Sequence, residues 1–394
     1  MKWPQYYEFR NSTKINAGKD ALETIPFELS RMNVSRPIIV TDKGIKGAGL
    51  LDTVLKALEH PQIKPCYVYD SVPSDSSIET VNELVELYKE HDCDSIIAIG
   101  GGSVIDTCKG LNTAISEGAS DLSQLMGVDR LRARQKTFIA IPTTSGTGSE
   151  VTLVAVISDT SKGVKLPFVS YNLLPDVAVL DPRMTQSLPP KLTAATGMDA
   201  LTHAIEAYTC LQKNPLSDAY AWAAIELVRE HLFVAVENPS DAKARFGMAQ
   251  ASLLAGLAFS NSMVGAVHGI GHALGAVAHV HHGNAMAVLL PAVMRFNSDV
   301  IGDLYAKLLL PLAGEEIYLS TPKEDRAAKA VWVIEEMNNR LNELTGMPAK
   351  LSQAGVDEKV FDEVARKALN DGAMSTNPKE VTYDNVIEIL KQVF

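Results

Sequence analysis

No C-x-x-C pair occurs in this sequence: its four cysteines, Cys66, Cys93, Cys108 and Cys210, are scattered along 394 residues. That spacing speaks against a structural zinc site or a disulfide framework and fits free thiols in a reducing compartment. Positive charge is scarce too, with 36 Lys and Arg against 47 Asp and Glu and a formal net charge of −11. Nucleic acid or an anionic membrane is therefore a poor main partner, although local charge can still receive an anionic substrate. The opening MKWPQYYEFR lacks an apolar leader core, and no run reaches membrane-spanning length without a charge or a Gly/Pro interruption. Cytoplasmic residence is the expectation. Internal repeats and low-complexity tracts are absent as well.

What is present is ordinary globular material, 46% hydrophobic and 21% charged, in a chain too long for one core. In its first half, PIIVTD (37–42), CYVYD (66–70), DSIIAIG (94–100) and TFIAIP (137–142) read as strands. Stretches 44–59, 77–91 and 103–117 between them carry helical periodicity, which predicts a parallel sheet covered on both faces. Further strands are expected at 151–158 and 176–181, after which the strand pattern stops. From Pro190 onward the residues favour helix, over 191–210, 215–236, 240–260, 263–278, 285–298 and 325–345. The expected organisation is an α/β dinucleotide-binding domain over 1–185, with a Rossmann-like parallel sheet, and an all-helical metal-binding domain over 186–394. A cleft between two such domains is a natural place for a site.

DSIIAIGGGSVIDTCKG puts Gly100, Gly101, Gly102 and Ser103 where an apolar strand hands over to a helix. Glycines there permit positive φ and close backbone approach, so N–H groups at the helix start can hold a phosphate; a tight turn is the simpler use. The usual G-x-G-x-x-G is not matched. A second loop, PTTSGTGSEVT (142–152), adds Gly146 and Gly148 to hydroxyls at Thr143, Thr144, Ser145, Thr147 and Ser149. Two such loops on one sheet line the edge where open α/β sheets bind ligands. Asp42, ending the PIIVTD strand, either hydrogen-bonds ribose hydroxyls and disfavours a 2′-phosphate, or caps the next helix.

Five of nine histidines crowd into GAVHGIGHALGAVAHVHHGNA (265–285), a segment otherwise apolar. Buried imidazoles need partners, so each meets a hydrogen-bonding group or several share an ion. Asp199 and His203 stand i, i+4 in a helical stretch, and His268 and His272 repeat that spacing. A salt-bridged pair is the commoner fate of one such spacing; two pairs and an HHG in one helical domain favour a metal. His282 would lie about 21 Å from His268 on an unbroken helix. Sharing an ion therefore requires the chain to turn back near AHVHHGN. Spacing alone leaves His268, His272 and His282 interchangeable, while His279 and His281 read as supporting or packing residues.

Together GGGSVIDTCKG, PTTSGTGSEVT, DPRMTQSLPPKLTAATGMDALTHAIEAY and GAVHGIGHALGAVAHVHHGNAMAVLLP resemble, in order, the iron-containing (group III) alcohol dehydrogenase family. The resemblance implies that Asp199, His203, His268 and His282 are metal ligands and that His272 lies near the nicotinamide as a proton-transfer participant. It implies pyrophosphate contacts at Gly101, Gly102 and Ser103, a second nucleotide loop with Thr143, Thr144 and Thr147, and a preference for NAD through Asp42. A homo-oligomer follows from the same resemblance. Two positions depart from the family pattern: His281 stands where a Pro often precedes the last ligand, and Ser74 replaces the usual Asn of the V-x-P-N-P segment.

One carboxylate and three imidazoles suit Fe2+, Zn2+ or another borderline divalent ion. The expected reaction is NAD(H)-linked interconversion of a small primary alcohol, diol or hydroxy acid and its aldehyde. The apolar residues around the histidines favour a small uncharged substrate over an anionic one such as sulfoacetaldehyde or succinic semialdehyde. Lys165, in KGVKLPF, is a candidate cationic contact for the latter and more commonly a surface residue. The rival enzyme class is a dehydroquinate-synthase-like lyase, which needs converging basic residues; a glycerol-dehydrogenase-like enzyme keeps the reaction type. A non-catalytic NAD or metal sensor is the reading of a different class.

Overall fold

The computed structural model describes residues 3–161 and 164–394. The chain divides into two compact units, Arg10–Leu188, and Met1–Phe9 together with Pro189–Phe394.

In the first unit, strands β1 (Lys14–Ala17), β2 (Pro37–Val40), β3 (Tyr67–Tyr69), β4 (Ser95–Gly100), β5 (Gly127–Val128), β6 (Thr137–Pro142), β7 (Val154–Asp159), β8 (Val164–Val169) and β9 (Val177–Leu180) alternate with helices α1 (Ile25–Arg31), α2 (Lys43–Gly47), α3 (Leu50–Ala57), α4 (Ile78–Glu90) and α5 (Gly102–Glu117). Six strands form a sheet in the order β1-β9-β6-β4-β2-β3, every neighbouring pair parallel. The unbroken apolar runs of β2, β4 and β9 are buried along their whole length, as strands covered on both faces must be. Their side chains alternate between faces. Ile39, Ile97, Ile99, Ile139 and Ile141 pack against Ile25 and Leu29 of α1 and Leu51 and Val54 of α3. Ile38, Ile96, Ala98, Phe138 and Ala140 meet Leu84 of α4 and Val104, Ile105 and Leu111 of α5 on the other side. The chain thus leaves β2 toward one face and β4 toward the other. Their carboxyl ends, adjacent through the pairing of Val40 with Ala98, open a crevice at the switch point of the sheet.

Three expectations for this unit change. The strand expected at 151–158 begins at Val154 and pairs antiparallel with β8 in a separate sheet of order β5-β8-β7. The missed partner, VKLPFV, buries Leu166 and Phe168 and exposes Val164, Lys165 and Pro167, an alternation masked by its Lys and Pro. The helix expected over 44–59 is interrupted at Gly49, whose φ of +75° an L side chain rarely adopts. Cys66 and Cys93, expected as free thiols, form a disulfide with Cα atoms 6.0 Å apart. Cys66 just precedes β3 and Cys93 just precedes β4, two parallel strands flanking β2, so the fold brings them to the same end of the sheet without any short-range motif. Cys108 and Cys210 are free and buried.

The second unit is helical: α6 (Pro190–Thr209), α7 (Pro215–Glu237), α8 (Ala242–Ser260), α9 (Ala266–Ala278), α10 (His282–Ala313), α11 (Glu315–Ser320), α12 (Arg326–Thr345), α13 (Phe361–Ala368) and α14 (Tyr383–Gln392). α6 is buried from Thr193 to Thr209, which is why its Ala- and Thr-rich sequence shows no amphipathic stripe. α10 outruns the expected 285–298 by more than a dozen residues. It is long and apolar enough to cross a bilayer, yet 67% of that apolar window is buried, as in the core helix of a globular protein. Near the amino terminus, Trp3 donates its indole N–H to Asp218 at 2.7 Å, and Phe9 stacks on Tyr220.

Candidate functional site

Asp199 and His203 lie one turn apart on α6, and both are buried. His268 stands on α9 and is equally buried. α9 ends at Ala278 because His279 turns left-handed, with φ of +53°, and a new helix starts at His282. This is the reversal that the spacing of the histidines demanded. Gly283 makes it compact: a Cβ there would lie 2.3 Å from the Ala195 carbonyl oxygen, so only glycine lets α10 begin against α6. His282 Nε2, His203 Nδ1 and His268 Nε2 lie 3.3, 3.7 and 3.9 Å from Asp199 Oδ1. One ligand atom from each of the four residues falls within 4.8 Å of every other.

Three of these atoms, Asp199 Oδ1, His203 Nδ1 and His268 Nε2, are buried with no hydrogen-bond partner. Orphaned buried lone pairs are costly, and three clustered within 4 Å of Asp199 Oδ1 fit a shared cation. Burial pushes His203 down to about 3 and His268 well below the usual imidazole range, so both present lone pairs at neutral pH. Three nitrogens and one carboxylate oxygen, with no thiolate, suit a borderline divalent metal.

His272, one turn beyond His268, stacks on His282 with ring centres 5.5 Å apart. Its side chain is 39% exposed, and its Nδ1 lies 2.8 Å from Asp371 Oδ2. A carboxylate there accepts, which places the proton on Nδ1 and leaves Nε2 as acceptor. Burial resists ionisation of Asp371, but the bond from His272 holds its carboxyl below the ordinary range. His279 and His281, expected as supporting or packing residues, are exposed in the turn joining α9 to α10, at the C-cap position of one helix and the N-cap position of the other, and His281 makes no side-chain cap bond.

Two carboxylates beside this cluster escaped the sequence reading. Glu206 Oε2 faces His268 Nδ1 at 2.5 Å, and its Oε1 accepts from Val267 N at 2.7 Å. It follows Asp199 and His203 at i+7 and i+3, so helical spacing alone could have placed it on the same face. Burial pushes its carboxyl up to about 7 against hydrogen bonds from Gly265, Val267 and His268 that hold it down. Asp371, about a hundred residues from its partner, carried no local signal.

In the α/β unit, Asp42, Gly101, Gly102, Ser103, Thr143, Thr144 and Thr147 all follow the carboxyl ends of the neighbouring strands β2, β4 and β6. Asp42 Oδ1 accepts from Ile45 N at 2.9 Å and so caps α2, the simpler of its two expected uses. Gly100, Gly101 and Gly102 are not glycine for the sake of positive φ. They make room: a Cβ on Gly100 would lie 2.5 Å from Val104, on Gly101 3.1 Å from Thr144, and on Gly102 2.9 Å from Thr147. The two loops are therefore in contact, Gly101 on Thr144 and Gly102 on Thr147. Gly148 is the residue that needs its conformational freedom, with φ of +60°. Thr143 is buried with its Oγ1 unpaired, and Ser103 donates its hydroxyl to the Ser74 carbonyl. The Ser at 74 thus contributes backbone to this edge. Lys165 is exposed on β8 and pairs with Asp75 at 3.3 Å.

The second loop is held from below by α5, a role the sequence reading did not assign. Lys109 Nζ donates to Ser149 Oγ, to the Thr152 carbonyl and hydroxyl, and to the Val154 carbonyl, at 2.7–3.0 Å. Asp106 accepts from Ser149 Oγ at 2.7 Å and from Val156 N at 3.0 Å.

Comparison with known proteins bears on both units. Residues 12–182 match the family model for iron-containing alcohol dehydrogenases, and residues 193–394 match that for the C-terminal part of the same family. The chain is 37% identical to the NADPH-dependent butanol dehydrogenase of Clostridium saccharobutylicum, over 96% of this chain and 95% of that one. It is 34% identical to the NAD-dependent methanol dehydrogenase of Bacillus methanolicus, over 95% and 96%. The crystal structure of a 1,3-propanediol oxidoreductase superposes with a TM-score of 0.94 at 35% identity, covering 99% of this chain and all of that one. With both halves matched in order and the same fold in a solved relative, the chain belongs to the iron-containing alcohol dehydrogenase family.

Proposed function

We propose that this protein is an NAD(H)-linked oxidoreductase that interconverts a small, uncharged primary alcohol and its aldehyde with a divalent metal, Fe2+ by preference, held by Asp199, His203, His268 and His282. The observation that carries the reading is the convergence of three buried, unpartnered ligand atoms on one point. When bound, the cation supplies Lewis acidity toward the substrate oxygen and the nicotinamide supplies hydride exchange. The chain does the rest. Buried His203 and His268 stay unprotonated and available as ligands. His272, oriented by Asp371, offers Nε2 to the hydroxyl proton on oxidation and returns it on reduction. Backbone N–H groups at the start of α5 and the hydroxyls of Thr143, Thr144 and Thr147 receive the cofactor's phosphates and ribose.

Asp42 at the end of β2 supports NAD over NADP, since a carboxylate repels a 2′-phosphate. Its capping bond to α2 is compatible with that, because a cap uses one oxygen. Homo-oligomeric assembly and cytoplasmic residence belong to the same reading and are checked by light scattering and cell fractionation. The decisive experiment is NADH consumption by anaerobically Fe2+-loaded protein across a panel of neutral and anionic short aldehydes, with a chelated control. Chelator-sensitive turnover that favours neutral aldehydes supports the proposal. Preference for the anionic members moves the substrate class toward sulfoacetaldehyde or succinic semialdehyde, and silence across the panel with metal and NADH bound defeats the dehydrogenase reading.

A further inference from the structure

His268 has two nitrogens with different neighbours. Nε2 is buried, unpartnered and 3.9 Å from Asp199 Oδ1, on the side of the four-residue cluster. Nδ1 faces away from it, onto Glu206 Oε2 at 2.5 Å. Only a nitrogen without a proton ligates a metal, so His268 serves as a ligand only if its proton resides on Nδ1. An imidazole in an apolar interior has no intrinsic reason to hold that tautomer.

We propose that Glu206 is a positioning residue that fixes His268 as the Nδ1–H tautomer, keeping Nε2 open toward the metal. The inference rests on the metal reading above. Glu206 cannot swing away: Val267 N donates to its Oε1 at 2.7 Å, and a Cβ on Gly265 would approach that same oxygen to 3.0 Å, so glycine at 265 leaves the carboxylate its place against the backbone. The carboxylate also comes from the helix that bears Asp199 and His203, so one rigid element sets two ligands directly and the third through a hydrogen bond. The simpler alternative is that Glu206 only caps the amino end of α9, where Val267 is the second residue.

Glu206→Gln separates the two. A glutamine carbonyl still accepts from Val267 N, so the cap survives. Its NH2 then faces His268 Nδ1, which must become the acceptor, and the proton moves to Nε2. With zinc as the probe, competition against a chromophoric chelator is expected to show affinity lower by about 10–100-fold than wild type. Co2+ loading is expected to give a weakened, shifted d–d absorption. Circular dichroism and thermal unfolding are expected to match wild type without metal. Equal zinc affinity and an unchanged cobalt spectrum in a folded Glu206→Gln protein overturn the proposal. Should that variant not fold, the tautomer is read directly in zinc-loaded, 15N-histidine-labelled wild type, with the His268 signal identified by its loss in His268→Asn. An Nδ1 bonded to hydrogen is expected, and hydrogen on Nε2 refutes the assignment. Failure of wild type to bind zinc at all defeats the metal reading instead; the tautomer in metal-free protein then tests Glu206 by itself.

Discussion

The two units build their candidate sites from opposite materials. In the helical unit the centre consists of side chains, Asp199, His203, His268 and His282, brought from three helices to within 4.8 Å. In the α/β unit the loop edge depends on close backbone approach, and its characteristic residues are glycines packed against threonine side chains. Gly101 and Gly102 are there because Thr144 and Thr147 already fill the space a Cβ would take. A site made of side chains should fail by deletion, whereas one made of backbone should fail by addition. That contrast orders the tests.

The largest effect is expected from deleting a ligand. Asp199→Ala removes the oxygen from which all three histidine distances are 3.3–3.9 Å. Bound metal, measured by elemental analysis after loading, is expected to fall to background and turnover by a factor of about 10³ or more, in line with the loss of charge stabilisation worth several kcal/mol. NADH binding by the variant, followed by fluorescence, is expected to persist. Metal retained at wild-type stoichiometry would mean that the cluster is not the centre.

Next comes the opposite operation, adding one carbon to the backbone site. In Gly102→Ala the new methyl meets Thr147 Cγ2 at 2.9 Å. NADH affinity is expected to drop about tenfold, some 1.4 kcal/mol, with metal content unchanged. Thr147→Ser removes the obstructing methyl and keeps the Oγ1 that accepts from Ser149 N at 3.2 Å, so the double variant is expected to recover most of the loss. Absence of rescue would show that Gly102 matters for something other than its contact with Thr147.

How much of this was visible in the sequence follows the same division. Close backbone approach announces itself as glycine: the consecutive Gly100, Gly101 and Gly102 after an apolar strand lie at the carboxyl edge of the sheet, for close approach and not for positive φ. The helical cluster was visible as residue types at i, i+4, but spacing could not decide among His268, His272 and His282. Their roles depend on a chain reversal at His279, and its compactness depends on Gly283 lying against Ala195. Glu206 was within reach of helical spacing and overlooked. Asp371 was not, because nothing local in a turn about a hundred residues away marks it as the partner of His272. The antiparallel β8 hid behind Lys165 and Pro167, and the Cys66–Cys93 bridge depends on which strand lies between two others.

A loss in catalysis alone is expected at that missed partner. Asp371→Asn replaces an acceptor of the Nδ1 proton with a group that can also donate, so His272 is no longer held in one tautomer or one orientation. A fall of about 10–100-fold in kcat is expected with KM for the aldehyde and metal content near wild type, a part of the roughly 10²–10⁴-fold that a positioned acid–base group contributes. Loss of metal in parallel would instead show that Asp371 supports the ligand cluster as a whole.

The last effect concerns stability rather than activity, and it has the opposite sign. Glu150 lies in the backbone-built loop, 2% exposed, and burial pushes its carboxyl from 4.5 up to about 7 against its own backbone hydrogen bond and the attraction of Lys109. Between those two values the folded chain holds a proton that the unfolded chain has released, so stability falls as pH rises from about 4.5 to about 7. The whole shift corresponds to roughly 3 kcal/mol as an upper figure. Glu150→Gln removes the group that must be charged while keeping its shape. The variant is therefore expected to melt several degrees above wild type at pH 7.5, with the gap closing toward pH 4.5. A variant less stable than wild type at pH 7.5 would mean that Lys109 holds the ionised carboxylate favourably, and the loop would then depend on a side-chain charge after all. A gain in stability would set this loop apart from the helical centre in the sharpest way: there, removing a buried carboxylate at Asp199 is expected to cost the site its metal, whereas here neutralising one is expected to leave a firmer scaffold for the backbone.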